Sequence, residues 1–411
     1  MADRNVDFLL VGGGVAAASC AHSLREAGAD GSILIVGREP NAPYHRPPLS
    51  KGYLRGTEDR RAAAYAAPEG YAEQQIDVLT RTSATGLDLD ARTVKLSNRE
   101  EVGFRQALLA TGANVRRLNV EGAQLEGIHY LRAFGNADAI RADAAGQRVV
   151  LIGGSYIACE VAATLTELGA SCSVLMLEDL PLSRGFGLAA GRFFSDRLAE
   201  RGVRLHGGQE LERFEGADGR VTHVVAKSGL RLEADAVVMG TGALPEVTLA
   251  RAAGLELGES GGVRVNGQLE SSAPGVYAAG DMAEYLSVVH DGRPLRVEHW
   301  DVAINQGRVA ARNMLGLGEQ YTVVPYFFSD LSDWASLEYV GPAANWDAEV
   351  VRGEIDRGTF SVWYLREGRV AATLSVGRGA ELDHARRLIS SGRALSRPEV
   401  LGDPSADLAQ L

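Results

Sequence analysis

Two glycine-rich turns constrain this chain more than any other feature. The first reads Phe8-Leu9-Leu10-Val11-Gly12-Gly13-Gly14-Val15-Ala16-Ala17; the second reads Val149-Val150-Leu151-Ile152-Gly153-Gly154-Ser155-Tyr156-Ile157-Ala158. Each follows a β-branched or leucine-rich strand and opens an apolar helix. Glycine lets the chain turn sharply there, so that a pyrophosphate can sit on the backbone N–H groups of the helix N-terminus. One such turn is a weak signal. Two in one chain point to two dinucleotides, and so to electron transfer between them.

The rest of the pattern repeats this unit. The spacing predicts a strand at Val6–Val11, a helix from Val15 to Ala27 closed by Gly28, and a strand at Ser32–Val36 followed by Gly37-Arg38-Glu39. A proline-rich loop, Pro43-Tyr44-His45-Arg46-Pro47-Pro48-Leu49-Ser50-Lys51, comes next. Later strands end at Ala110-Thr111-Gly112. The second unit predicts a helix from Tyr156 to Leu168, a strand at Ser173–Leu177, a helix near Ala189–Arg201 and a strand at Ala236–Met239. It closes on Gly240-Thr241-Gly242, an echo of Ala110-Thr111-Gly112 that suggests an internal duplication. A strand at Gly275–Ala279, ending at Gly280-Asp281, is expected to return to the first domain. From Tyr326 the pattern changes to short strands and one late helix at Glu381–Ser390. At 411 residues the expectation is an α/β chain with two Rossmann-like dinucleotide-binding domains and a C-terminal α+β domain. Their expected bounds are residues 1–112 with 245–325, residues 113–244, and residues 326–411.

Charge and cysteine usage narrow the function class. A net charge of −11 argues against nucleic acid and anionic membranes as partners. Cys20, Cys159 and Cys172 form no CxxC pair, so neither a disulfide framework nor a metal site is implied. The longest apolar run, Phe8 to Cys20, is broken by three glycines and is too short to span a bilayer. With no signal peptide before the first strand, the expected compartment is the reducing cytoplasm.

The order of these motifs resembles the FAD-dependent pyridine nucleotide-disulfide oxidoreductases. Within them it resembles the branch of putidaredoxin, rubredoxin and dioxygenase-ferredoxin reductases and the apoptosis-inducing-factor-like flavoproteins. The loop ending at Lys51 carries the resemblance most specifically. Leu109-Ala110-Thr111-Gly112-Ala113, Ile152 to Glu160, Ala278-Ala279-Gly280-Asp281, Arg296-Val297-Glu298-His299-Trp300 and Phe327-Phe328-Ser329-Asp330 extend it along nearly the whole chain.

The resemblance implies FAD on the first turn, with Gly12, Gly14, Val15, Ala16 and Ala17 at the diphosphate and Glu39 at the adenosine ribose. Arg46 and Lys51 lie along the FAD, with Lys51 near the flavin N5 and paired with Glu160 across the domain boundary. Ala84, Ala110, Thr111, Gly112, Arg132 and Gly280 complete the contacts, and Asp281 meets ribitol hydroxyls. Glu298, His299 and Trp300 line the flavin and nicotinamide site. Trp300 either stacks on one of those rings or packs in the domain core. Lys51, Glu160 and Trp300 are the expected catalytic residues. Gly153, Ser155, Tyr156, Ile157, Glu178 and Gly242 are expected at the nicotinamide nucleotide.

Two departures matter. Ser155 replaces the central glycine of the second turn, and its Cβ either crowds the pyrophosphate or simply fits. The acid expected at the end of the following strand aligns with Met176, with Glu178 two positions later, so NADH is expected in a weak or shifted pose. Glu178 and Asp179 would repel the 2′-phosphate of NADPH, which makes NADPH the less favoured donor. No cysteine lies between Glu39 and Leu54, which argues against a thiol shuttle beside the flavin. The leading expectation is a monomeric or homodimeric ferredoxin reductase. It would take hydride from NADH onto FAD and pass single electrons to a small iron–sulfur protein serving a P450 or oxygenase. Arg293, Arg296, Arg308 and Arg312 are candidates for a docking patch. The alternatives are a flavin oxidoreductase or oxidase using oxygen, a quinone or a small molecule, and a redox-switched interaction protein like apoptosis-inducing factor.

Overall fold

Val11 ends a strand whose last four residues are all buried, and Gly12 turns the chain directly into the helix Val15–Glu26. The computed structural model describes residues 2–290, 292–342 and 345–411. The chain divides into two compact units. One comprises Met1–His45, Arg61–Asn114 and Leu244–Tyr326; the other comprises Arg46–Arg60, Val115–Ala243 and Phe327–Leu411.

In the first unit, strands run in the order Ile76–Leu79, Ile33–Val36, Arg4–Val11, Glu101–Leu109, Thr93–Leu96, Ala84–Asp88. The first four pair in parallel, and Val276–Ala278 adds to Glu101–Leu109 in the same sense. Continuous apolar runs such as Ile33–Val36, buried at every position, are what a sheet covered on both faces requires. The helix Trp300–Met314 packs against Val15–Glu26. A side chain at Gly307 would collide with the Ala16 carbonyl, and Ser19 donates to the Ile304 carbonyl at 2.7 Å. This close contact fixes where the Trp300 helix begins.

In the second unit, a five-stranded parallel sheet runs Arg204–His206, Ser171–Leu175, Arg148–Ile152, Ala236–Met239, Ile128–Tyr130. The expected strand Ser173–Leu177 is displaced two residues toward the N-terminus. Leu175 pairs with Ile152 at the end of the ladder, which leaves Leu177 outside it and 66% exposed. The helix expected near Ala189–Arg201 is the second of two segments, because Ser183–Glu200 breaks at Gly187, whose φ of +75° is non-helical. The C-terminal part is a sheet in the order Tyr326–Leu331, Ala335–Val340, Arg369–Val376, Thr359–Arg366, Ala348–Glu354, with the helix Leu382–Ser391. None of the described helices is long and apolar enough to cross a membrane.

Candidate functional site

The first cradle is built from backbone. Gly12 has a φ of +139°, and any Cβ there would drive into the Ala110 carbonyl. Gly12 N–H donates to Val36 O at 2.8 Å, and Ala110 N–H to Val11 O at 2.8 Å. Gly14 is the N-cap of Val15–Glu26, with no side-chain cap and no atom within 4 Å of where a Cβ would stand. The N–H groups of Val15, Ala16 and Ala17 are those that a helix start leaves without intrahelical partners, and no side chain caps them. Such a helix start suits an anion, and the residues present fit a dinucleotide diphosphate.

Around this cradle the first unit places its other candidates. Glu39 is half-buried and accepts a hydrogen bond from the Tyr44 hydroxyl. Ala84 opens the edge strand Ala84–Asp88 and is half-buried. Thr111 Oγ1 donates to the Glu246 carbonyl at 2.6 Å, and Gly112 takes a φ of +71°. Gly280 N–H donates to Gln306 Oε1 at 2.8 Å, which ties the turn before Asp281 to the Trp300–Met314 helix. Arg296 donates to the Asp281 carbonyl at 3.0 Å and pairs with Glu298. His299 caps the helix start without a side-chain bond, and burial pushes its imidazole down to about 4. Trp300 Nε1 donates to His45 Nδ1 at 3.0 Å.

The second cradle repeats the first bond for bond. Gly153 has a φ of +106° and donates to Leu175 O at 2.8 Å; Gly240 N–H donates to Ile152 O at 2.8 Å. A Cβ at Gly153 would run into the Gly240 carbonyl, as one at Gly12 would into Ala110. Gly242, like Gly112, takes a positive φ, +90°. Ser155 stands where Gly14 stands, with φ −76° and ψ 164°, a backbone conformation any residue adopts. Its hydroxyl turns onto the protein, donating to Gly240 O at 3.2 Å and accepting from Ala158 N at 3.5 Å. It therefore caps the helix Tyr156–Glu167.

The register also corrects the reading of Met176. Val11 pairs with Val36, and Ile152 with Leu175. Met176 thus stands where Gly37 stands, buried beneath Gly154, where a Cβ on the glycine would lie 2.9 Å from its Sδ. Glu178 stands where Glu39 stands, three residues beyond the last paired residue of its strand. The acid is in register, not shifted.

Lys51 and Glu160 do meet, both inside the second unit. Lys51 Nζ lies 3.0 Å from Glu160 Oε1 and 3.8 Å from Asp330 Oδ2, and 4.8 Å over the Phe328 ring. Glu160 is 3% exposed. Ser329 donates to its Oε1 at 2.6 Å and Ser50 to its Oε2. Thr164 Oγ1 in turn holds the Ser50 carbonyl at 2.8 Å. An ammonium and two hydroxyls thus face the two oxygens. Ser50 and Ser329 lie in two of the quoted motifs, but nothing in the sequence ties them to Glu160, which is far along the chain from both. Arg46 donates to the Arg132 carbonyl, which brings those two candidates together.

The cysteines are inert. All three are buried and free; burial pushes Cys159 up to about 12 and Cys172 to about 11, and raises Cys20 further. Of the four arginines considered for docking, Arg296 pairs with Glu298 and Arg312 with Glu319, so the four do not form a patch of free cations. Among the described residues no group of three or more His, Cys, Asp or Glu could hold a metal.

A family model described as pyridine nucleotide-disulphide oxidoreductase matches residues 6–307. The chain belongs to that family. A second model, reductase C-terminal, matches residues 326–411. Rhodocoxin reductase of Rhodococcus erythropolis is 33% identical over 98% of this chain and 93% of its own length. A ferredoxin reductase from Rhodopseudomonas palustris superposes with a TM-score of 0.92 at 32% identity, over 98% of this chain and 99% of that one. The reductase in a covalent putidaredoxin reductase–putidaredoxin complex does so with a TM-score of 0.92 at 33% identity, over 100% of this chain and 98% of that one.

Proposed function

We propose that this chain is an NADH-dependent ferredoxin reductase, with FAD in the first cradle, NADH in the second, and a small iron–sulfur protein as acceptor. One observation carries the reading. The chain builds the same dinucleotide cradle twice, yet keeps every thiol buried and unreactive. Electrons that enter from one nucleotide must then leave by an external acceptor rather than a protein disulfide. The similar reductases named above, one of them in complex with putidaredoxin, support a ferredoxin in that role. Bound FAD supplies the conversion between two-electron and one-electron transfer.

The chain's own residues bind and orient. Gly12, Gly14, Val15, Ala16 and Ala17 offer backbone to the FAD diphosphate, Glu39 to the adenosine ribose, and Asp281 to the ribitol. Ala84, Ala110, Thr111, Gly112, Arg46, Arg132, Gly280, Glu298 and His299 complete the FAD contacts. The N-terminus of the Trp300 helix favours negative charge on the bound ring by about 0.3–1 kcal/mol. Lys51, held by Glu160, fixes an ammonium at the reacting edge of the flavin, and Trp300 offers a ring face to flavin or nicotinamide. Gly153, Ser155, Tyr156, Ile157 and Gly242 seat NADH, and Glu178 accepts from its ribose hydroxyls. A carboxylate at that position repels a 2′-phosphate, which favours NADH over NADPH. Three free thiols suit the cytoplasm, where we place the protein. The test is NADH-dependent reduction of cytochrome c with and without an added [2Fe–2S] ferredoxin. The reading expects a rate that depends on the ferredoxin; one that ignores it overturns the assignment.

A further inference from the structure

Trp300 is tethered by His45, a proline-rich-loop residue to which no sequence pattern gives a role. The indole N–H can only donate, so the His45 Nδ1 atom 3.0 Å away must present a lone pair. The imidazole is therefore neutral, with its proton on Nε2. The two rings meet edge to face, 5.4 Å apart at 64°.

His45 is well placed to hold another side chain still. Its own N–H donates to the Ala63 carbonyl at 2.8 Å, and Tyr65 N–H reaches back to the Pro43 carbonyl at 3.0 Å. Tyr44 and Ala64 form a bridge between them. The chain leading into His45 is thus pinned at Pro43, Tyr44 and His45. Trp300, in contrast, is the first residue of its helix, where the preceding turn that restricts rotamers deeper in a helix is missing.

We propose that His45 is a positioning residue, which holds Trp300 in a single rotamer while neutral and releases it when protonated. Adding a proton at Nδ1 turns the acceptor into a second donor, so that two N–H groups would face each other. The groups around His45 do not offset this. Tyr65 packs on it at 5.4 Å, its neighbour Tyr44 is engaged with Glu39, and Arg46 with the Arg132 carbonyl. Among the described residues no carboxylate offsets this, and burial holds the ring below its ordinary value. The lock is therefore closed at neutral pH and opens on the acid side. Its catalytic consequence rests on the reading of Trp300 given under Proposed function.

The experiment follows the Trp300 indole N–H by 15N NMR in the flavin-loaded protein, assigned with Trp300→Phe, from pH 8 to pH 5. The proposal expects a hydrogen-bonded resonance at pH 8 that moves as the pH falls, is displaced by His45→Phe, and stops titrating in His45→Gln. Stopped-flow reduction by NADH is read on the same proteins. Losing one hydrogen bond of about 1 kcal/mol should slow reduction roughly 3- to 10-fold in His45→Phe, with most of the rate rescued by His45→Gln. A resonance indifferent to pH and to His45→Phe overturns the proposal. If the resonance titrates but Trp300→Phe reduces as fast as the parent, the tether exists and the reading of Trp300 at the cofactor fails.

Discussion

Removing Lys51 alone should cost more than removing Lys51 and Glu160 together. Lys51→Met leaves the Glu160 carboxylate with two serine hydroxyls and no cation, at a site where its side chain is 4% exposed. An uncompensated charge that deep costs about 3–5 kcal/mol. Glu160→Gln leaves the Lys51 ammonium, whose side chain is 17% exposed and which has Asp330 at 3.8 Å as a second partner. Its cost should fall nearer 2 kcal/mol, below the range for a fully buried charge. The double variant buries no charge and keeps the serine hydroxyls supplied by an amide, so it should be more stable than Lys51→Met alone. The cycle then gives a coupling energy of about 2–4 kcal/mol. In thermal melts, at roughly 2–4 °C per kcal/mol for a unit of this size, Lys51→Met should melt on the order of 10 °C below the parent. Two melting results would refute the reasoning: single effects that simply add, or a Glu160→Gln variant that loses more than Lys51→Met.

The remaining expectations are briefer. His299 is held neutral by burial, with its value lowered from the ordinary 6.5 to about 4. That contribution to stability is complete above pH 6.5 and is lost as the pH falls toward 4, at about 1.4 kcal/mol per unit. The melting temperature should therefore fall over this window more steeply in the parent than in His299→Gln. Glu178→Ala removes a charged acceptor for ribose hydroxyls, so the KM for NADH should rise roughly tenfold and the preference over NADPH should narrow, as read from steady-state kinetics with both nucleotides. The three thiols should resist alkylation in the native protein and label fully in urea, as read by mass spectrometry.

Much of this was legible in the chain because the decisive signals are local. The first turn could be read residue by residue: Gly12 is needed for a φ no other residue tolerates well, and Gly14 leaves the helix N-terminus bare. The helix Val15–Glu26 and the strand Ala236–Met239 fall where their sequence patterns place them. The second strand of the second cradle was read two residues late because Cys172, Ser173 and Leu177 give no sharp boundary. Only the pairing of Leu175 with Ile152 shows that Glu178, not Met176, stands in register with Glu39. The short helical stretch from Ser183 to the break at Gly187 escapes the pattern because Gly185 and Gly187 interrupt it. The serines on Glu160 and the histidine on Trp300 come from distant parts of the chain. Hydrogen bonds of that kind leave no period or spacing in a sequence.

The most direct test of the central claim is anaerobic stopped-flow mixing of the flavin-loaded protein with NADH, followed at the visible flavin band. Two working cradles predict rapid bleaching that saturates with NADH and is far weaker with NADPH at equal concentration. A flavin that stays oxidised with both nucleotides would contradict the account, because the second cradle would then be a copy of the first in backbone alone.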